Sequence, residues 1–341
     1  MTAPVVPHLR TEDGQIARAL LVVEGLTTSF PTRGGVVTAV DGLDLTVNEG
    51  ECLGVVGESG SGKSVTFLSV LGLVRPPGTV TARRLSFAGR DLLALSEEAR
   101  RDLRGREIAI TMQDALTALN PAFTVATQIT ETLLAHGRAA SMAEARRAAV
   151  EIMGLVGIPA PGKRLDDYPH QFSGGMRQRI MIAIALACRP RLLIADEPTT
   201  ALDVTIQAQV LDLIADLRRD LGMSVVLITH DLGVVAEHSD RVLVMYAGQV
   251  VEAGRTRDVI DRPLHPYTRG LLASMPSLED LDRPIQPIPG QVPDPTRLPA
   301  HCRFFDRCGL ADEACRTPVP LAPAGPGRAV RCVRPGEPVD A

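Results

Sequence analysis

No apolar run in the 341 residues approaches the ~18–20 needed to cross a bilayer. The start, "MTAPVVPHLRTEDG", has prolines and acids where a secretory leader carries a basic region and then an apolar one. A chain with neither feature is expected to stay in the cytosol, which leaves docking onto a membrane protein open. Basic excess is missing too. The formal net charge is −4 with no strongly basic block, which argues against nucleic acid as the main partner. Cysteines number only six, and cytosolic thiols are normally kept reduced, so structural disulfides are not expected. What remains is ordinary for a globular protein: 45% hydrophobic and 22% charged residues, in a length that allows one large domain plus an appendage.

Residues 1–19 read as a polar, proline-containing arm. "LLVVEGLTTSF" and "GLDLTVNEGECLGVVG" follow as successive strands, the first alternating and the second ending in a continuous apolar run. "GESGSGKS" interrupts that run, and "VTFLSVLGLV" continues as a helix. From about residue 91 to 180 the texture turns Ala-, Arg- and Glu-rich, as in a helical subdomain inserted into an α/β core. There Ser141 and Glu144 form a capping box ahead of Ala145, Ala148, Ala149, Ile152 and Val156 at helical spacing. "RLLIADEP" and "SVVLITHD" are short buried strands, and "RVLVMYAGQVVEAG" is a hairpin. Between the two strands, Asp203 caps a helix with an apolar stripe through Ile206, Val210, Leu213, Leu217 and Leu221, ending at Gly222. Strands alternating with helices predict an α/β fold, its mostly parallel sheet covered on both faces over residues 20–255. Residues 256–341 form an extension in which the proline-rich "RPIQPIPGQVPDPTRLP" reads as an extended linker leading into a cysteine segment.

Gly57, Glu58, Ser59, Gly60, Ser61, Gly62, Lys63 and Ser64 match G-x-x-x-x-G-K-S/T between a predicted strand and helix, the context that pattern requires. The glycines let successive N–H groups turn inward as an anion nest, and the helix N-terminus adds a favourable field. Lys63 then reaches the β/γ-phosphates of a nucleotide such as ATP, and the Ser64 hydroxyl binds Mg²⁺. A chance Gly/Ser turn would lack these flanks. Asp196 and Glu197 close the strand "LLIADE", where Asp196 is placed to hold Mg²⁺ and Glu197 to act on the attacking water. A DE pair alone is often a mere strand terminus; after a phosphate loop the functional reading wins.

The next residues narrow the class. "FSGGMRQRIMIAIALACRP" resembles the signature segment of ATP-binding cassette (ABC) ATPases. The resemblance implies that Ser173, Gly174 and Gly175 contact the γ-phosphate of ATP held by an opposite subunit. Gln113 in "ITMQDALTALNP" matches the Q-loop, which senses Mg²⁺ and water; Asp203 in "TTALD" matches the D-loop; His230 in "VLITHD" matches the switch histidine. Phe30 is the candidate to stack on adenine, with Val36 or Val37 as alternatives. The implied fold is a RecA-like, mostly parallel sheet with an antiparallel β subdomain and an inserted helical subdomain, plus a small irregular extension.

From about Leu20 to Cys332 the chain also resembles the ATPase subunits of oligopeptide and dipeptide importers. "GGMRQR" in place of "GGQRQR", "ALDVTIQAQVLDLI", "HPYTRGLLASMP" and "IPGQVPDPTRLPAHCRFFDRC" carry that likeness. Met176 and the cysteine tail favour the D-type subunit. This implies an F-type ATPase partner, two membrane permease subunits, an external peptide-binding protein, and a place on the cytoplasmic face of the membrane. Ala115, where the family usually has proline, and Ala118, in place of a common serine, depart from the pattern without touching the hydrolysis chemistry. Soluble ABC ATPases of DNA repair carry a long coiled-coil or zinc-finger insertion, and those of translation carry two cassettes. This chain has a short helical insertion and one cassette. A non-hydrolytic regulatory cassette is disfavoured by Glu197 and His230.

Four cysteines remain. Cys302, Cys308, Cys315 and Cys332 have the spacing C-x5-C-x6-C-x16-C in a polar, proline-rich tail, whereas Cys52 and Cys188 lie in apolar segments as small core residues. A tail with little apolar material needs a staple. Spacing and compartment leave a metal site, unliganded thiols or disulfides open; zinc suits four cysteines but prefers two tight C-x₂₋₄-C pairs, and an iron–sulfur cluster tolerates varied spacing. In the importer subunits that the chain resembles, the corresponding cysteines bind a 4Fe–4S cluster. The expected role is stabilisation of the tail, since ATP hydrolysis transfers no electrons.

Overall fold

Two long strands, Ala19–Thr32 and Gly35–Asn48, open the computed structural model, paired antiparallel around a tight turn. Residues 18–200, 202–275 and 287–337 are described, so the expected arm lies almost wholly outside them. The chain divides into two compact units, Met1–Ala94 with Thr229–Ala341, and Leu95–Ile228.

In the first unit the long hairpin is joined by Arg84–Phe87, Arg90–Asp91 and Thr79–Thr81 into an antiparallel sheet. The stretch "GLDLTVNEGECLGVVG" is not one strand. Gly50, at φ +72°, turns the chain between Asn48 and Cys52, and Glu51 clamps the turn by accepting from the Asn48 backbone N–H (2.7 Å) and side-chain amide (2.8 Å). Beyond it Cys52–Val56, buried at all five positions, joins a different sheet, parallel to Arg241–Tyr246. The predicted hairpin follows: Arg241–Tyr246 returns as Gln249–Arg255 through Ala247 and Gly248, both at positive φ, the two-residue turn that matches strand twist.

The extension is built into the first unit. Ala329–Val330 pairs with Gln249–Arg255, and Ala322–Pro323 pairs with it in turn. Phe304 packs edge-on to Tyr246 and beside Tyr267 in one apolar cluster with Val56, Val244 and Val259. The proline-rich approach has no helix or strand over residues 287–299, and residues 276–286 lie outside the described ones.

The second unit carries three parallel strands in the order Ile108–Thr111, Leu192–Asp196, Ser224–Ile228. Its helices start as their caps dictate. Ser141 accepts from the Glu144 N–H (3.2 Å) ahead of Met142–Leu155, while the Glu144 carboxylate takes the Ala140 N–H (2.7 Å). Asp203 caps Val204–Leu221, which ends at Gly222 in the left-handed region. Its buried face is Val210, Leu211, Ile214 and Leu217; Leu213 and Leu221 are only partly covered, so the stripe is rotated by about one position from that expected.

Candidate nucleotide-binding site

Strand Cys52–Val56 delivers the chain to Gly57, where φ is +153° and a Cβ would lie 2.1 Å from the Met245 carbonyl oxygen. Gly62 is as constrained, with φ +97° and a Cβ position 2.3 Å from the Ala39 oxygen. Between them the loop folds on itself: the Ser61 N–H donates to the Glu58 carbonyl (3.1 Å), and Lys63 Nζ donates to the carbonyls of Gly57 (2.7 Å) and Glu58 (3.1 Å). Lys63 opens helix Lys63–Val70 with Ser64 half-buried in its first turn, while Ser59 and Gly60 are exposed at the loop tip. The Ser61 hydroxyl is buried and has no hydrogen-bond partner among the described residues, a group that a phosphate oxygen would satisfy. The Thr229 N–H donates to Val55 (3.1 Å), so His230, exposed, follows directly on a residue tied to the strand feeding the loop. Phe30 is paired with Val37 on the long hairpin, its ring against Gly78, and Val36 is 55% exposed.

In the second unit, strand register assembles the other candidates. Thr111 pairs with Ala195, which sets Gln113 beside Glu197 at the ends of adjacent parallel strands. Gln113 Nε2 donates to Glu197 Oε2 (2.7 Å), and Thr200 Oγ1 donates to the same oxygen (2.8 Å). Asp196, buried, ends the strand, and Glu197 takes φ +45°, a costly conformation for a residue with a Cβ and one that recurs at functional sites. Ser173 caps helix Gly174–Leu186, accepting from the Met176 N–H (3.4 Å), and both Ser173 and Gly174 are exposed. At Gly175 a Cβ would meet Ile206 at 2.6 Å, so this glycine lets the signature helix pass close to the helix that Asp203 caps. Thr200 was not singled out from the sequence, nor were Tyr267 and Arg307, which bind Glu58 in the phosphate loop. "HPYTRG" flagged Tyr267 only as part of a likeness, and no periodicity links residues 249 positions apart.

None of the six cysteines is joined in a disulfide among the described residues, and Cys52 and Cys188 are buried in the core as expected. The four tail cysteines line one cavity with Phe304, Phe305 and Leu310. Burial pushes the Cys302 thiol up to about 11 and raises Cys308 and Cys332 as well. Among the described residues no three His, Cys, Asp or Glu side chains are placed to hold a metal ion, so the expected cluster finds no ready ligand set in this arrangement. No helix among them is long and apolar enough to cross a membrane.

Comparison with known proteins decides the family. Residues 40–200 match the ABC transporter family, and residues 251–315 match the oligopeptide/dipeptide transporter C-terminal region. A putative peptide import ATP-binding protein of Brucella abortus (strain 2308) is 50% identical, over 92% of this chain and 94% of its own. The chain belongs to the ABC transporter ATPase family. A similar relative of this ABC ATPase is the dipeptide transport ATP-binding protein DppD of Haemophilus influenzae, 48% identical over 94% of this chain and 98% of that one. Among solved structures, the dimeric post-hydrolysis form of the ATP-binding cassette MJ0796 bound to ADP and Pi matches with a TM-score of 0.62. It is 26% identical and covers 70% of this chain and 99% of its own. The cbiO1 protein from Clostridium perfringens, part of the ABC transporter complex cbiONQ, gives a TM-score of 0.61 at 26% identity, over 72% and 91% of the two chains. ATP with Mg²⁺ is the cofactor pair of an ABC ATPase. In this one the glycine-walled loop and the orphaned Ser61 hydroxyl fit a bound phosphate.

Proposed function

We propose that this ABC ATPase is the D-type subunit of a peptide importer. It works at the cytoplasmic face of the membrane with an F-type ATPase partner, two permease subunits and an external peptide-binding protein. The observation that carries the reading is the extension: residues 251–315, matched to the oligopeptide/dipeptide transporter C-terminal region, are built into the sheet and core of the unit that bears the phosphate loop. Near full-length likeness to proteins named for peptide and dipeptide transport supports the same substrate class.

Each residue then has a task. Lys63, the loop N–H groups and the N-terminus of helix Lys63–Val70 stabilise the charge in transfer, the main contribution to phosphoryl transfer. Ser64, Gln113 and Asp196 would hold Mg²⁺, which would supply electrostatic stabilisation of the phosphates. Glu197 takes the proton of the attacking water, and Gln113, hydrogen-bonded to it, helps to orient that water. His230 contacts the γ-phosphate, Asp203 communicates with the partner, and Phe30 on the long hairpin stacks on adenine. Ser173 and Gly174, exposed at a helix start, reach the nucleotide of the opposite subunit. ATP-driven closure of the two ATPases pushes on the permeases, and hydrolysis resets them.

The test is purification from membranes. Copurification with two permeases and a second ATPase, and turnover stimulated by peptide-loaded binding protein, support the reading. Failure to copurify, or turnover stimulated by DNA instead, overturns it.

For the tail we propose a 4Fe–4S cluster on Cys302, Cys308, Cys315 and Cys332. What supports it is that the four cysteines line one cavity and are the right number and type of donor for a cluster; binding would have to draw the thiols together, since they form no ready ligand set as they stand. Its task is to staple the tail. Anaerobically purified protein is expected to be brown, with about four irons per chain. Stoichiometric zinc without iron refutes the cluster.

A further inference from the structure

We propose that the C-terminal extension is part of this chain's own ATP site, with Arg307 and Tyr267 as positioning residues that set the phosphate loop through Glu58. The inference rests on residues 57–64 being the ATP site.

Glu58 is the second residue of the loop, and each of its polar groups is held. Its backbone N–H donates to the Tyr267 hydroxyl (2.8 Å). Its carboxylate takes both arms of the Arg307 fork, Nη1 to Oε2 at 2.7 Å and Nη2 to Oε1 at 3.0 Å. Its carbonyl accepts from Lys63 Nζ (3.1 Å). The residue that carries the lysine's second anchor is thus fixed from the extension at two points. Arg307 is itself fully engaged. Its Nε donates to the Pro289 carbonyl (2.8 Å), and the fork also donates to the Tyr246 hydroxyl (3.3 Å) and the Ile288 carbonyl (3.3 Å). All five donors of the guanidinium therefore have acceptors, and its side chain is 5% exposed.

The same short turn of tail grips the other side of the loop. Arg303 pairs with Asp41 and donates to the Ala247 carbonyl. The Asp41 N–H donates to Gly248 (2.9 Å), and the Gly248 N–H donates to Ser61 (3.0 Å). One tail segment thus reaches both Glu58 and Ser61, the residues flanking the exposed loop tip. A buried ion pair is a poor source of net stability, because desolvation offsets the attraction, but a forked, fully bonded pair admits one geometry. A loop that binds phosphate through backbone N–H groups needs that single geometry. Loss of the fork should leave the loop present but loosely set, which reads as weaker nucleotide binding rather than unfolding.

The experiment is titration of the full chain with Mg-ATP by calorimetry, together with melting in the absence and presence of ATP. Arg307→Ala and Glu58→Gln are each expected to weaken ATP binding about tenfold, with the double variant no weaker than either alone. Arg307→Lys recovers only part of the loss, because an ammonium cannot fork. Tyr267→Phe, which deletes one hydroxyl and keeps the ring packing, weakens binding in the same direction with little change in nucleotide-free melting. Lys63→Ala is the control for the site itself. Unchanged ATP affinity in Tyr267→Phe and Glu58→Gln, with affinity lost in Lys63→Ala, overturns the inference. Intact affinity in Lys63→Ala overturns the phosphate-loop reading beneath it.

Discussion

Replacing Glu197 with glutamine separates chemistry from structure at this site. The side chain keeps its size and its Cβ, so the left-handed backbone at φ +45° is equally strained before and after. Glu197 Oε2 accepts from both Gln113 and Thr200. An amide oxygen turned to that position still accepts from both, and the change from charged to neutral acceptor costs about 1 kcal/mol on partly exposed groups. For a chain of this size that lowers the melting temperature by only a few degrees. The carboxylate proposed as the proton acceptor is gone, and a positioned general base contributes about 10²–10⁴-fold, or roughly 3–5.5 kcal/mol of barrier. Phosphate release should be followed in the assembled complex, with the matching glutamate of the other ATPase subunit also replaced so that its site does not mask the loss. ATP binding is expected to persist while turnover falls by at least about a hundredfold. Turnover within about threefold of the parent complex, at unchanged ATP affinity, would refute the assignment of Glu197 as the base.

Other perturbations test the surrounding structure. Gly57→Ala places a methyl 2.1 Å from the Met245 oxygen, so the loop must move, and ATP affinity is expected to fall by more than about tenfold; calorimetric binding equal to wild type refutes this. Arg241 and Glu51 form a buried pair at 2.9 Å, and Glu51→Leu strands the guanidinium, with an expected loss of about 3–5 kcal/mol in urea unfolding. A loss below about 1 kcal/mol would show that water reaches the pair. Burial lowers the His265 pKa to about 3, while its Nδ1 accepts the Tyr267 N–H at 3.0 Å. The unfolded chain takes up that proton below about pH 6.5 and the folded chain does not. This contribution is therefore complete above that value and is lost as pH falls toward 3, by about 2 kcal/mol at pH 5. His265→Asn, which keeps an acceptor at the helix cap, should flatten that slope; an unaltered slope between pH 7 and 5 refutes the account.

Much of the local structure at the candidate site is legible because its motifs are local. Gly57 to Ser64 carry strand, turn and helix signals within a few residues, and Asp203 and Gly222 mark both ends of their helix by cap chemistry alone. The split after Asn48 is marked in the sequence only by the short polar segment "NEGE", and that its Gly50 turn sends the two strands into different sheets is settled by pairing partners far away in the chain. The contact between Gln113 and Glu197 was not legible either. It depends on the register of parallel strands whose partners lie 84 positions apart.

The extension shows the same division most clearly. Its prolines and cysteines marked it as an irregular segment that could not form a core alone, which composition by itself determines. Nothing local says that it supplies strand Ala329–Val330 to the sheet, Phe304 to the core and Arg307 to the phosphate loop. Local chemistry determined what each short segment can do: turn around a phosphate, cap a helix, end a buried strand. Which segments meet was decided by strand register and burial, because pairing at long sequence separation is an outcome of packing the whole chain.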